Sequence, residues 1–425
     1  MVQRCLLAAA ILVFFANCQT SRTINSAAMH KKNNGRLDSL LQANAARLGP
    51  VMADPEAYRL QIIYTQIDRD ARNRPVFTDY YYRDLPAEYF YPASTVKMPA
   101  ALLALEKLNR LGIDKNTPLH TDSLSGISAA VTADSSAENL EPSVAHYIKK
   151  IFLVSDNDAF NRLYELLGQE EFNRGLWEKG YPSSQIRHRL DVALPQEANR
   201  RTNPVKFMRN GTVVYSQPEQ VSRLEFPPRH DSVGRAHYAG NQLVRAPFDF
   251  SVKNRLLLKD LHQILRSIIF PESVTSGQSF RLKEDDYRFL YRYMSQLPTE
   301  TTFPVYDTAE FHRNYVKYLM GGADAATALP AGLRIFNKPG WAYGFLTDVA
   351  YFADFANGVE FMLSATLYAN SDGIIGDNKY DFETAGKPFL KELGWLIYEA
   401  ELQRARKHKP DLQRYKVTYE KEQQP

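Results

Sequence analysis

The sequence predicts an α+β fold: an antiparallel sheet flanked by helices, with an all-helical lobe inserted between its strands. Three observations predict it. Two short stretches with strand character, 59–66 and 76–82, are joined by the polar turn Asp68 to Arg74. A long middle section repeats apolar residues at helical spacing. Three apolar segments then follow, Leu333 to Trp341, Phe345 to Phe352 and Val359 to Tyr368, ahead of a closing helix over 383–406.

At the start of the chain, Arg4 precedes an apolar run from Cys5 to Ala16 and then Asn17-Cys18-Gln19. A basic flank and a short apolar run read as a secretory signal over 1–18. The run is too short to span a bilayer as a helix. Cys5 and Cys18 are the two cysteines. A processed chain then has no disulfide and relies on its core, which 425 residues permit. Cys18 stands where a bacterial lipoprotein is lipidated. Phe15-Ala16-Asn17 departs from the usual lipobox, so an ordinary signal peptide with an incidental cysteine is the alternative. The expectation is an exported, lipid-anchored protein of the periplasm or outer membrane, touching membrane through the anchor alone. Polar residues 20–36 read as a tether and 37–48 as a helix, giving a connecting segment over 19–50.

Composition narrows the function classes. A net charge of +4 on this length is too dilute to argue for nucleic acid, and the nine histidines show no metal-ligand spacing. No metal and no cofactor is expected. The partner expected is a small-molecule or peptide substrate.

Tyr91-Pro92-Ala93-Ser94-Thr95-Val96-Lys97-Met98-Pro99 leads into the apolar run Ala100 to Leu111. Proline is tolerated in the first turn of a helix, so Pro99 dates the helix start to just after Ser94. That puts Ser94 at the positive end of the helix dipole. Val144 to Leu153 and Ala159 to Leu167 are two more helical patterns, broken by Ser155-Asp156-Asn157-Asp158, whose Asp and Asn are good caps. Residues 181–204 read as loop. Over 205–253 the pattern changes, with a hairpin signal at Asn210-Gly211 and an accumulation of Arg209, Arg223, Arg229, His230, Arg235 and His237. Residues 254–268 and 283–296 return to helical periodicity, and 411–425 read as a polar tail.

Three short motifs occur in order: Ser94-Thr95-Val96-Lys97, Ser155-Asp156-Asn157 and Lys338-Pro339-Gly340. Each is weak alone. Their strength lies in context: the first opens an apolar helix, the second separates two helices, and the third lies on a strand. Together they resemble the SxxK, SDN and KTG elements of the serine β-lactamase and penicillin-binding protein superfamily, and class A β-lactamases in particular. The likeness runs from residue 55 to about 400, within a domain expected over 51–410. Asn161 and Arg189-Leu190-Asp191 match further positions, the latter the opening of the Ω-loop.

The resemblance implies a β-lactamase/transpeptidase-like fold and an acyl-enzyme formed on Ser94 with an amide or ester substrate. A serine hydroxyl needs an adjacent base. Lys97, one helical turn on, faces Ser94 and serves if burial and the nearby charge of Lys338 keep it neutral. The resemblance assigns Ser155 to proton relay and Asn157 to a substrate amide. It assigns the backbone N–H groups of Ser94 and Trp341, beside Gly340, to the oxyanion hole. Asp156 and Asp348 read as structural.

Two positions depart from the family pattern. Leu194 falls where class A enzymes carry the glutamate that activates the deacylating water, and Glu197 serves only if the loop is reshaped. Pro339 replaces a residue whose hydroxyl meets the substrate carboxylate, and proline has no donor. The segment from Pro204 to Lys338 is also longer than in class A enzymes, the extra part being 205–253, a wall of the cleft or a surface decoration. The readings left open are a serine hydrolase turning over β-lactams, a penicillin-binding or esterase-like enzyme with slow β-lactam turnover, and a non-catalytic binding lipoprotein that keeps the fold.

Overall fold

The computed structural model describes residues 26–421. The signal segment and Cys18 lie outside them. Among the described residues no helix is long and apolar enough to cross a membrane.

The centre is a five-stranded antiparallel sheet. Its strands are β1 (Gln61–Arg69), β2 (Pro75–Tyr82), β3 (Leu333–Ala342), β4 (Phe345–Asp354) and β5 (Val359–Tyr368). The order across the sheet is β3-β4-β5-β1-β2. β4 and β5 are buried along their whole length, as their near-continuous apolar runs require. β3 is an edge strand, where a proline such as Pro339 costs least.

Strand alternation sorts the side chains into two cores. Ile62, Tyr64, Phe361 and Leu363 point to one face. There they meet Leu37 and Leu41 of α1 (Ser26–Ala43), with Leu393 and Ile397 from the closing helix, Lys387–Gln403. Ile63, Ile67 and Met362 point to the other face, toward the helical lobe. The lobe comprises α2 (Lys97–Leu111), α3 (Val144–Val154), α4 (Asn157–Leu167) and α5 (Gln169–Glu178). Helices α6 (Leu258–Ile269) and α7 (Glu284–Ser295) complete this face. α2 is buried nearly all round because the lobe surrounds it.

The sequence expectations differ from the structure at four places, the first being the tether read over 20–36, whose residues from Ser26 on belong to α1. Gly168 opens α5, a helix the periodicity did not single out. A short helix, Gln196–Arg200, lies in the stretch read as loop. The C-terminal stretch is docked: Leu412 and Tyr415 are buried, and Tyr415 packs on Phe270, Tyr291, Phe336 and Tyr351. An aromatic residue in a polar segment carries that outcome; average polarity hid it.

Segment 205–253 is built of short strands. Asn210 and Gly211, at φ 51° and 75°, turn the hairpin Val205–Arg209/Thr212–Gln217. The later part forms a wall of the cleft. Strand Ala236–Ala239 pairs in parallel with Ile374–Ile375, and Phe248 and Phe250 pack on Tyr343, in the turn after β3.

Candidate active site

The turn that carries Ser94 precedes α2. Residues Ala93–Val96 form a 3-10 turn that runs straight into Lys97. Ala93 sits at φ 45°, a left-handed conformation that costs a non-glycine residue roughly 1–3 kcal/mol. Ser94 is half-buried at the cleft floor, and Lys97 is fully buried.

The Ser155-Asp156-Asn157 segment is placed by two helix ends. Ser155 caps the C-terminus of α3 at φ 60°, and Asp156 caps α4 by accepting from the Ala159 N–H at 2.7 Å. The structural reading of Asp156 is thereby accounted for. Opposed helix ends aim the Ser155 carbonyl, the Ser155 hydroxyl and the Asn157 amide at one point, the Lys97 amine.

Lys97 Nζ lies 2.8 Å from Ser94 Oγ and 2.7 Å from Asn157 Oδ1, and it also donates to the Ser155 carbonyl. Asn157 Oδ1 and the Ser155 carbonyl only accept. In a neutral amine they claim both N–H bonds, which leaves the lone pair facing the Ser94 hydroxyl. Burial lowers the Lys97 pKa to about 7, against the raising charges of Asp156 and Asp191.

Lys338, on β3, donates to Ser155 Oγ at 2.8 Å and to the Pro339 carbonyl at 2.8 Å. Its pKa lies well below the ordinary lysine range, first through burial and then through the charge of Lys97. The expectation had burial and the charge of Lys338 together lowering Lys97. The larger cause at Lys97 is burial, and the mutual repulsion tells on Lys338. Behind it, Asp348 is fully buried and accepts from Asn337 Nδ2 and the Tyr318 and Leu319 N–H groups at 2.9–3.2 Å. Lys317 donates to Asn337 Oδ1 in the same network. Asp348 thus holds β3 in place, as the structural reading of that residue expects.

Gly340 brings β3 against the turn that carries Ser94. A Cβ there would stand 2.8 Å from the Pro92 carbonyl oxygen and 2.9 Å from the Ser94 and Thr95 nitrogens. Any larger residue would push the strand off the Ser94 amide. The next residue, Trp341, is 55% exposed and its ring rests edge-on against Phe382.

On the other flank, Asn161 clamps the loop after α5 in both directions. Its Nδ2 donates to the Leu190 carbonyl at 3.0 Å, and its Oδ1 accepts from the Leu190 N–H at 2.9 Å. Arg189 is buried in an ion pair with Glu165 at 3.0 Å. The clamp presents Asp191, at φ 57°, to Asn157: Asn157 Nδ2 donates to Asp191 Oδ2 at 3.5 Å.

Glu197 is not brought to the site. Its side chain is 85% exposed and pairs with Arg200 at 3.4 Å, within the short helix Gln196–Arg200. A free helical face holds it in solvent, which corrects the expectation that it acts on an acyl group. Leu194, by contrast, lines the cleft. The structure therefore gathers Ser94, Lys97, Ser155, Asn157, Lys338, Gly340 and Trp341, and leaves Glu197 out. Sequence reasoning missed Lys253 and Tyr343 as cleft residues. Tyr343-Gly344 forms a two-residue hairpin turn with φ 55° and 84°, and a bulky aromatic in that conformation is rare.

Among curated proteins nothing matches this sequence. Solved structures similar to the chain include a β-lactamase from Sphaerobacter thermophilus DSM 20745, at 13% identity, TM-score 0.48, over 85% of this chain and 97% of that one. A β-lactamase from Burkholderia phymatum is similar at 13% identity, TM-score 0.47, over 88% and 99%. The protein PBP-A is similar at 14% identity, TM-score 0.46, over 86% and 96%. The segment that carries Ser94, Lys97, Ser155 and Asn157, residues 78–224, matches the family model of the beta-lactamase enzyme family, in agreement with the resemblance read from its motifs.

Proposed function

We propose that the protein is an exported serine hydrolase that forms an acyl-enzyme on Ser94 with an amide or ester substrate and releases it slowly. The observation that carries this is the Lys97 amine, buried, with two acceptor-only partners and Ser94 Oγ at 2.8 Å.

In acylation, neutral Lys97 takes the Ser94 proton as Oγ attacks the carbonyl carbon. The oxyanion that develops is met by the Ser94 and Trp341 N–H groups, each such donor contributing about 3–4 kcal/mol. Collapse of the tetrahedral species needs a proton on the leaving nitrogen or oxygen. Ser155 supplies it and is reprotonated from the lysine pair, since its Oγ lies 2.8 Å from Lys338 Nζ and 3.3 Å from Lys97 Nζ. Asn157 orients the substrate amide and Lys97 together.

Deacylation lacks a comparable base. Leu194 lines the neighbouring cavity and Glu197 faces solvent, so water attack on the ester is left to the lysine pair and to Asp191, which Asn157 holds at 3.5 Å. That favours a penicillin-binding or esterase-like enzyme over a fast β-lactamase. A lipid anchor on Cys18 belongs to the same proposal, and Cys18→Ser would release the protein from membranes if it is correct. Fluorescent penicillin or an acyl-phosphonate, read by intact mass, should label the wild type and not Ser94→Ala. No labelling by any acylating probe would overturn the reading and favour a binding protein that keeps the fold.

A further inference from the structure

Beside the reaction centre lies a cavity of about 630 Å³, lined by Tyr91, Arg187, His188, Asp191, Lys253 and Tyr343 among others. It connects to the nucleophile through named contacts: Asp191 accepts from Asn157, which accepts from Lys97. Ser94, Lys97, Ser155, Asn157 and Lys338 all lie outside its lining, and Asp191 is its contact with them. The link runs through Asn157, the residue read as orienting the substrate amide, and this puts the cavity beside the part of a substrate that stays on Ser94.

Its charge is unusual. Arg187 and Lys253 have no carboxylate within ion-pair distance among the described residues, whereas the neighbouring Arg229, Arg255 and Arg200 all do. Arg187 Nε is held by Gln185 Oε1 at 2.9 Å, and its guanidinium lies 4.4 Å from the Phe226 ring centroid. The Lys253 ammonium lies 5.8 Å from the Phe248 centroid and 5.9 Å from that of Tyr343. Both charges converge on His188, whose pKa falls to about 4 through burial and then through Lys253 and Arg187. His188 is thus neutral at pH 7 and adds no charge. Burial likewise lowers Lys253, and lowers Arg187 to about 10. Two half-buried cations without acids represent a cost that a bound anion offsets. The one carboxylate on this lining, Asp191, is held by Asn157 at the side of the reaction centre.

The remaining wall is aromatic. Tyr91 stacks on His188 at 6.3 Å and meets Tyr343 edge-on at 5.1 Å, and Tyr343 stacks on Phe248 at 5.7 Å. The strained turn at Tyr343 and the wall formed by segment 205–253 both serve to build this surface.

We propose that this cavity is the subsite for the acyl part of the substrate and selects an acyl group bearing a carboxylate, which Lys253 and Arg187 hold while its apolar portion lies on Tyr91 and Tyr343. The proposal rests on the reading of Ser94 as the acylated residue. It also supplies an anion-binding function that Pro339 cannot provide, on the opposite part of the substrate.

Two matched measurements test it. Benzylpenicillin and carboxybenzylpenicillin differ by one carboxylate on the acyl side chain. Their second-order rates of acylation, followed by intact mass, should favour the carboxylated compound about tenfold in the wild type, a modest value because both cations are partly solvated. Lys253→Met should bring the ratio near one and Lys253→Arg should restore it, with thermal melting to verify folding. Equal rates in the wild type, or an unchanged ratio in Lys253→Met, would overturn the subsite while leaving Ser94 in place. Binding of phenylmalonate against phenylacetate to Ser94→Ala, by titration calorimetry, reads the cavity without chemistry. A preference for phenylmalonate that Lys253→Met and Arg187→Met remove supports the subsite even if neither penicillin acylates Ser94. That result would place the failure in the catalytic reading. No preference overturns the subsite.

Discussion

The two flanks of the cleft are built differently. On one, Ser94, Lys97, Ser155 and Lys338 sit at the ends of two helices and an edge strand, with the lysines buried and every amine hydrogen bond within 3.3 Å. On the other, the loop from Arg189 to Asn199 is tied down at Leu190 and leaves Asp191 to Ala193 and Glu197 exposed. On the proposed function, the first flank supplies a base in Lys97, a relay in Ser155 and an oxyanion hole beside Gly340. The second has a leucine where a base is needed. On the proposed function, acylation is preorganised by regular elements, and deacylation is left to a loop whose Leu194 and Glu197 supply no base.

Removing the base on the ordered flank should have the largest effect. Lys97→Ala is expected to slow acylation by about 10²–10⁴-fold. In the wild type the acylation rate should rise with pH through about 7, because the pKa of Lys97 is lowered to that value and only the neutral amine accepts a proton. A pH profile that is flat from 5 to 9 would show that Lys97 is not the base. The next effect is a gain on the other flank. Leu194→Glu puts a carboxylate into the cleft and should raise the deacylation rate on the order of tenfold, below the range for a positioned base because nothing orients it. Chasing a labelled acyl-enzyme with unlabelled competitor measures it. The smallest effect is expected at Glu197→Gln: deacylation within about twofold of wild type, since the side chain faces solvent and its Arg200 pair contributes little.

The contrast between the flanks also explains what was legible in the sequence. Ser94, Lys97 and the Ser155 to Asn157 segment could be read because local rules place them: Pro99 fixes a helix start, and Asp156 is a cap between two helices. The three late strands were legible because β4 and β5 are buried on both faces and read as apolar runs. The exposure of Glu197 was not legible, because it depends on which way a five-residue helix faces. Nor was the Arg187, Lys253 and Tyr343 assembly, whose members come from the loop after α5, the end of segment 205–253 and the β3–β4 turn. No spacing rule links them. Tyr415 was hidden for the same reason, since its partners lie just past α6 and in α7, β3 and β4.

One measurement decides whether the cleft acylates readily and deacylates poorly: stopped-flow mixing of the wild-type protein with excess nitrocefin at pH 7. The account predicts a burst of one product equivalent per Ser94, followed by a slow phase. Fast linear turnover without a burst would contradict it, because it would require a deacylating base as effective as the acylating one.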